Sequence, residues 1–166
     1  MLNSYDKLIR DSVVQYMPEG FDWRLIKAQL IAESNLNELA RSPVGALGIA
    51  QFMPDTWDEV KQDMGLPNHA SCDKAQYAIP GCCFYMRELW DDWTAKREWL
   101  DRYCLTAASY NAGFGNLLKA QHEARGVNDY ASIVHKLPLI TGKDNARQTS
   151  SYVKRILTVW VSLVIG

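Results

Sequence analysis

Apolar residues recur along this chain at three- and four-residue spacings, the period of a helix, and no stretch carries strand alternation. Breakers punctuate the pattern at Pro18-Glu19-Gly20, Gly65-Leu66-Pro67 and Asn111-Ala112-Gly113. Between them the spacing predicts a first, amphipathic helix ending at Met17, with Asp6, Lys7, Arg10 and Asp11 on it. Asp22 is a good N-cap for a second helix that ends near Asn35. Further helices are expected over 55–64, over 73–93 with Asp73 as cap and a bend at Pro80, and over 100–110. Others are expected over 115–124, 129–137 and 149–164, with Lys143-Asp144-Asn145 read as an exposed loop. The fold class is all-α, and the chain, residues 1–166, shows no repeat, low-complexity tract or linker, so one domain is expected.

Within the second helix, Leu25, Ala28, Ile31 and Ala32 fall on one side and Ile26 and Leu30 on the adjoining one. Glu33 projects between Leu25 and Ile26, inside this apolar arc, while Lys27 and Ser34 point the opposite way. A carboxyl in such surroundings loses water and holds its proton longer than a free one, so it can donate near neutral pH. The plainer reading is a Glu in the last helical turn that reaches solvent or pairs with an arginine. The residues downstream of Glu33 favour the chemical reading. The run Arg41-Ser42-Pro43-Val44-Gly45-Ala46-Leu47-Gly48-Ile49-Ala50-Gln51-Phe52-Met53-Pro54 describes a tight glycine loop. Gln51 and Met53 re-enter at the start of a helix opened by Pro54, Asp55 and Thr56. A carboxylate, a tight loop, an amide and a thioether then form one wall of a cleft.

Glu33-Ser34, the run from Ser42 to Pro54, Ala108-Ser109-Tyr110-Asn111-Ala112-Gly113 and Gln148-Thr149-Ser150-Ser151-Tyr152-Val153 together resemble the catalytic domain of soluble lytic transglycosylases. The resemblance spans roughly residues 21–157, in the family's order. It implies a goose-type lysozyme-like helical domain with a substrate cleft, acting on peptidoglycan glycan strands. It also implies that Glu33 protonates the glycosidic oxygen between N-acetylmuramic acid and N-acetylglucosamine. The same carboxylate then takes the proton of the muramoyl C6 hydroxyl, which attacks C1 and leaves a 1,6-anhydro end.

Hydrolytic glycosidases usually use two carboxylates. The next acids after Glu33 are Glu38 and Asp55, with no evident role facing a cleft, and a single-acid site suits the water-free reaction. By resemblance Ser42, Gln51 and Met53 line one wall of the groove, Tyr110 and Asn111 the other, and the Tyr152 phenol lies near Glu33. Tyr110-Asn111-Ala112-Gly113 also reads as a helix C-cap, and Tyr152 as a core aromatic. Two departures stand out: Gln148-Thr149 where the family commonly has Glu-Thr, and Ser109 before Tyr110. A muramidase hydrolysing the same bond, and a silent wall-binding module, are the alternatives.

A net charge of −1 advertises neither nucleic acid nor an anionic membrane, so substrate contact depends on a local groove. Cys72, Cys82, Cys83 and Cys104 fit no zinc spacing and read as small buried thiols, with one bridge from Cys72 to Cys82 or Cys83 as the alternative. His69, His122 and His135 have no triad partner, and no metal or cofactor is implied. Trp90, Trp93 and Trp99 stand at core-like spacing. Residues 156–165 are too few to span a bilayer and read as a buried terminal helix, with a membrane-seeking tail as the minority reading. A monomer without a stable membrane span is expected. The N-terminal stretch lacks the apolar core of a secretory signal, which points to a phage-encoded or virion-carried lysin acting on the periplasmic wall. A bacterial protein with its signal removed is the other reading.

Overall fold

The computed structural model describes residues 4–166, so the first three residues of the expected N-terminal helix lie outside the described residues. The chain forms two compact units, one of residues up to Arg87 together with Ile156–Gly166, the other Glu88–Arg155. Among the described residues the only extended pairings are isolated bridges, Arg41 with Leu47 and Leu47 with Phe52.

The first unit contains α1 (Asp6–Tyr16), α2 (Trp23–Ser34), α3 (Pro54–Asp63) and most of α4 (Ala75–Asp92). It also takes the end of α9 (Lys143–Ile165). Asp22 caps α2 as expected, accepting the Arg24 N–H at 3.0 Å. Its second oxygen accepts the Trp160 indole N–H at 2.8 Å, which ties the end of α9 to the start of α2. Burial alone would raise the Asp22 pKa, but hydrogen bonds from Arg24 and Trp160 outweigh it and hold the carboxyl below its usual range.

α1 packs on α2. For that reason Lys27, opposite the apolar arc, is buried and pairs with Asp6 at 2.7 Å. Leu25, Ile26, Ala28, Gln29 and Leu30 are all fully buried, so the middle of α2 is enclosed on every side. Phe52 anchors the layer beside it, 5.2 Å from the Trp57 ring and 6.4 Å from that of Tyr85. Gly81 lets α4 approach, since a Cβ there would meet the Trp57 ring at 2.9 Å. α4 continues through Pro80. It starts two residues after Asp73, and Glu38 rather than Asp73 accepts the Ala75 N–H, at 3.1 Å.

The second unit contains α5 (Trp99–Ala112), α6 (Phe114–Glu123), α7 (Tyr130–Lys136), α8 (Pro138–Thr141) and the first half of α9. α6 packs on α5, α7 and α8. Asn111 and Ala112 remain inside α5, and Gly113 alone takes the left-handed turn that ends it, at φ 86°. Trp90 and Trp93 are core residues as expected, but Trp99 is 44% exposed and stacks on Tyr103 at 5.8 Å. Lys143, Asp144 and Asn145 are exposed but form the first turn of α9 rather than a loop. Asp144 there complements the helix dipole and pairs with Arg147 at 3.1 Å. The other end of α9 is helical but not buried, with Val161, Val164 and Ile165 exposed. Among the described residues no helix is long and apolar enough to cross a membrane. All four cysteines are buried and none forms a disulfide; burial pushes the Cys104 thiol up to about 12, with Asp101 adding to it.

Candidate active site

Glu33 is the penultimate residue of α2 and is half-buried, at the point where the enclosed helix reaches the surface. The helix stops because Asn35 and Leu36 both adopt left-handed backbone, at φ 56° and 62°. Asn tolerates that region; a branched Leu rarely does, so this turn is strained. Its closing bonds run from the Asn35 N–H to the Ile31 carbonyl at 2.9 Å and from the Leu36 N–H to the Leu30 carbonyl at 3.4 Å.

The glycine loop folds directly against this turn. Ser34 Oγ donates to the Ile49 carbonyl at 2.8 Å and accepts the Asn37 N–H at 3.1 Å. The loop is knitted by Gly48 N–H to the Ala40 carbonyl at 2.9 Å and by the Leu47–Phe52 pair at 2.9 and 3.0 Å. Gly48, at φ 78°, lies against the backbone of Cys72: a Cβ there would overlap its carbonyl oxygen and stand 2.7 Å from its carbonyl carbon. No other residue type fits.

Of the residues expected on this wall, Ser42 is half-buried, its hydroxyl accepting the Ala46 N–H at 2.9 Å. Gln51 occupies a left-handed position at φ 50°, and its Nε2 donates to the Gly48 carbonyl at 2.8 Å and reaches that of Ala40 at 3.3 Å. Those bonds orient the amide and leave Oε1 as its acceptor end. Met53 is 44% exposed and sits at the N-cap of α3, where Pro54 opens the helix. Glu38, whose role the linear pattern did not reveal, is committed to the start of α4. Asp55 is exposed in the first turn of α3.

In the second unit Tyr110 is half-buried near the end of α5 and Asn111 is exposed beside it. The Thr149 hydroxyl bonds Asn111 Oδ1 at 2.9 Å, so the last turn of α5 is held by α9. With Asn116, Asn145 and Gln148 these residues line a pocket of about 240 Å³ that carries amides and hydroxyls and no charge. Gln148 is exposed on it. Tyr152, one helical turn beyond, is buried. Ser109 is explained by packing: it is fully buried, its hydroxyl accepts the Trp93 indole N–H at 3.1 Å and donates to the Leu105 carbonyl at 2.7 Å. Among the described residues no three His, Cys, Asp or Glu side chains cluster as a metal site.

The fold is that of solved lytic transglycosylases. An inactive mutant of lytic transglycosylase Slt from Pseudomonas aeruginosa matches with TM-score 0.74 at 23% identity, over 95% of this chain and 23% of that one. The complex of the 70-kDa soluble lytic transglycosylase with bulgecin A matches with TM-score 0.77 at 22% identity, over 98% of this chain and 25% of that one. The chain belongs to the Transglycosylase SLT domain family, whose model matches residues 16–133. Among relatives, membrane-bound lytic murein transglycosylase F of Thiobacillus denitrificans is 34% identical over 126 residues, 74% of this chain and 25% of the relative. The protein of the same description from Desulfosudis oleivorans is 28% identical over 155 residues, 85% of this chain and 33% of the relative. The chain thus spans a third or less of the length of these curated relatives.

Proposed function

We propose that this chain is a peptidoglycan lytic transglycosylase that cleaves the bond from N-acetylmuramic acid to N-acetylglucosamine with Glu33 as its acid and base. Glu33 gives its proton to the glycosidic oxygen as the C1–O bond breaks. The resulting carboxylate takes the proton of the muramoyl C6 hydroxyl, whose oxygen bonds to C1 and closes the 1,6-anhydro ring. No water is consumed. Membership of the family supports the substrate class. The observation that carries the single-acid reading is the state of Glu38: it is the next carboxylate along the chain, and it is bonded to the Ala75 N–H at the start of α4. That bond gives Glu38 a role at the start of α4, which supports reading Glu33 as the acid that works without a second carboxylate.

Ser42, Gln51 and Met53 are proposed as substrate contacts, and Gln51 Oε1 is proposed to accept an N–H such as that of an acetamido group; the bonds of its Nε2, which orient the amide, support this. Tyr110, Asn111 and Tyr152 are proposed as further contacts from the second unit. Pre-set dipoles of this kind stabilise developing charge without reorganising. Action on the cell wall as a monomer completes the reading. The bacterial relatives lend nothing to a phage origin.

Digestion of purified sacculi and mass spectrometry of the products test the reaction. Anhydro-ended products, lighter by one water than hydrolysed ends, are expected, and Glu33→Gln is expected to release none while keeping the parent melting temperature. Hydrolysed ends alone would make the enzyme a muramidase. Equal turnover by Glu33→Gln would remove Glu33 from the chemistry.

A further inference from the structure

We propose that Ser34 is a positioning residue for Glu33, its hydroxyl latching the turn that carries the acid onto the loop that carries Gln51 and Met53. The inference rests on the reading of Glu33 as the proton donor. Helical periodicity points Ser34 away from the apolar arc, and the structure turns it onto a neighbouring segment. A serine near a helix end ordinarily returns its hydroxyl to the carbonyl four residues back. Here that carbonyl, Leu30, lies at 3.4 Å, whereas the Ile49 carbonyl lies at 2.8 Å. A hydroxyl has one proton, and the shorter bond takes it.

Ile49 is fully buried, so its carbonyl needs a protein partner, and Ser34 supplies one. The lone pairs of the same oxygen accept the Asn37 N–H at 3.1 Å, a donor shared with the Ser34 carbonyl at 3.2 Å, across the two left-handed residues Asn35 and Leu36. One oxygen thus does two things: it reinforces the strained turn immediately after Glu33, and it cross-links that turn to the loop. The loop has its own strained point at Gln51, φ 50°, whose amide is bonded to Gly48 and Ala40. Acid and wall residues are therefore set relative to each other through the Ser34–Ile49 bond, since Ser34 adjoins Glu33 and Ile49 lies just before Gln51 in the chain. Loss of the latch leaves both segments present but loosens the backbone that carries Glu33 against the loop that carries Gln51, and with it the geometry that proton transfer needs. Misplacement on the scale of an ångström costs about a hundredfold in rate.

The test compares Ser34→Ala, Ser34→Cys and Ser34→Thr with the parent and Glu33→Gln on a soluble peptidoglycan oligosaccharide, reading kcat and KM separately together with thermal melting. Ser34→Ala is expected to lower kcat by roughly tenfold to a hundredfold with KM within about twofold. Ser34→Cys, similar in size but a weak donor, is expected to be as slow as alanine, and Ser34→Thr, which keeps the hydroxyl, to recover most of the rate. Should Ser34→Ala fail to fold, the Cys and Thr pair carries the same comparison. Parent-like kcat in Ser34→Ala or Ser34→Cys, with Glu33→Gln inactive, overturns the latch and leaves the proposed reaction standing. Equal slowness of Thr and Ala overturns it as well, because the hydroxyl is then not the agent. Full activity of Glu33→Gln fells the underlying reading instead.

Discussion

The glycine loop offers a paired experiment in which one substitution isolates backbone conformation and the other adds a steric clash. Gly45 and Gly48 both have positive φ, at 95° and 78°. A Cβ on Gly45 meets nothing within 4 Å, whereas one on Gly48 overlaps the Cys72 carbonyl, a backbone group that cannot rotate away. Gly45→Ala therefore incurs only the left-handed penalty, about 1–2 kcal/mol. Gly48→Ala incurs that and the displacement of a packed loop from the backbone at Cys72, a further ~1–3 kcal/mol of overpacking. Denaturant unfolding at constant m-value measures the difference directly. In melting temperature each kcal/mol corresponds to about 2–4 °C for a chain of this size. Turnover is expected to fall further in Gly48→Ala than stability alone accounts for, since its carbonyl orients the Gln51 amide. The reasoning is refuted if Gly48→Ala is as stable as Gly45→Ala, because the close approach to Cys72 would then not constrain the loop.

Two further substitutions probe polar groups around α2. Gln29 is fully buried with neither amide atom hydrogen-bonded among the described residues, one helical turn before Glu33; Gln29→Met is expected to stabilise by about 1–3 kcal/mol, and a lower unfolding midpoint would contradict it. Asp22→Asn keeps the cap acceptor but loses the charge and the second oxygen that accepts the Trp160 N–H. The folded carboxyl sits below its usual value, so its contribution is complete above the unfolded pKa of about 3.9 and is lost as pH falls through the folded one. The stability gap between parent and Asp22→Asn should accordingly close in acid; a gap that widens there contradicts the assignment.

How far the chain could be read before folding divides along sequence separation. The helix class and most helix ends were legible because their causes are local: Asp22 caps the next residues, Pro54 opens α3, and Gly113 closes α5 with its own φ. Glu33 and its glycine loop were legible for the same reason, as a motif continuous in the chain. Where an end was misread, at residues 143–145, polar residues suited to a loop are equally suited to a helix's first turn. What local pattern could not supply were partners brought from a distance. Lys27 is buried because Asp6 lies across from it on α1, a placement set by packing of two helices. Glu38 finds its role 37 residues later, at the N-terminus of α4, and Ser34 finds Ile49 15 residues on. A charged or polar side chain is read from sequence as a mark of solvent; only the tertiary structure decides whether a complementary group is waiting to take it inside, because such a partner offsets the cost of desolvation.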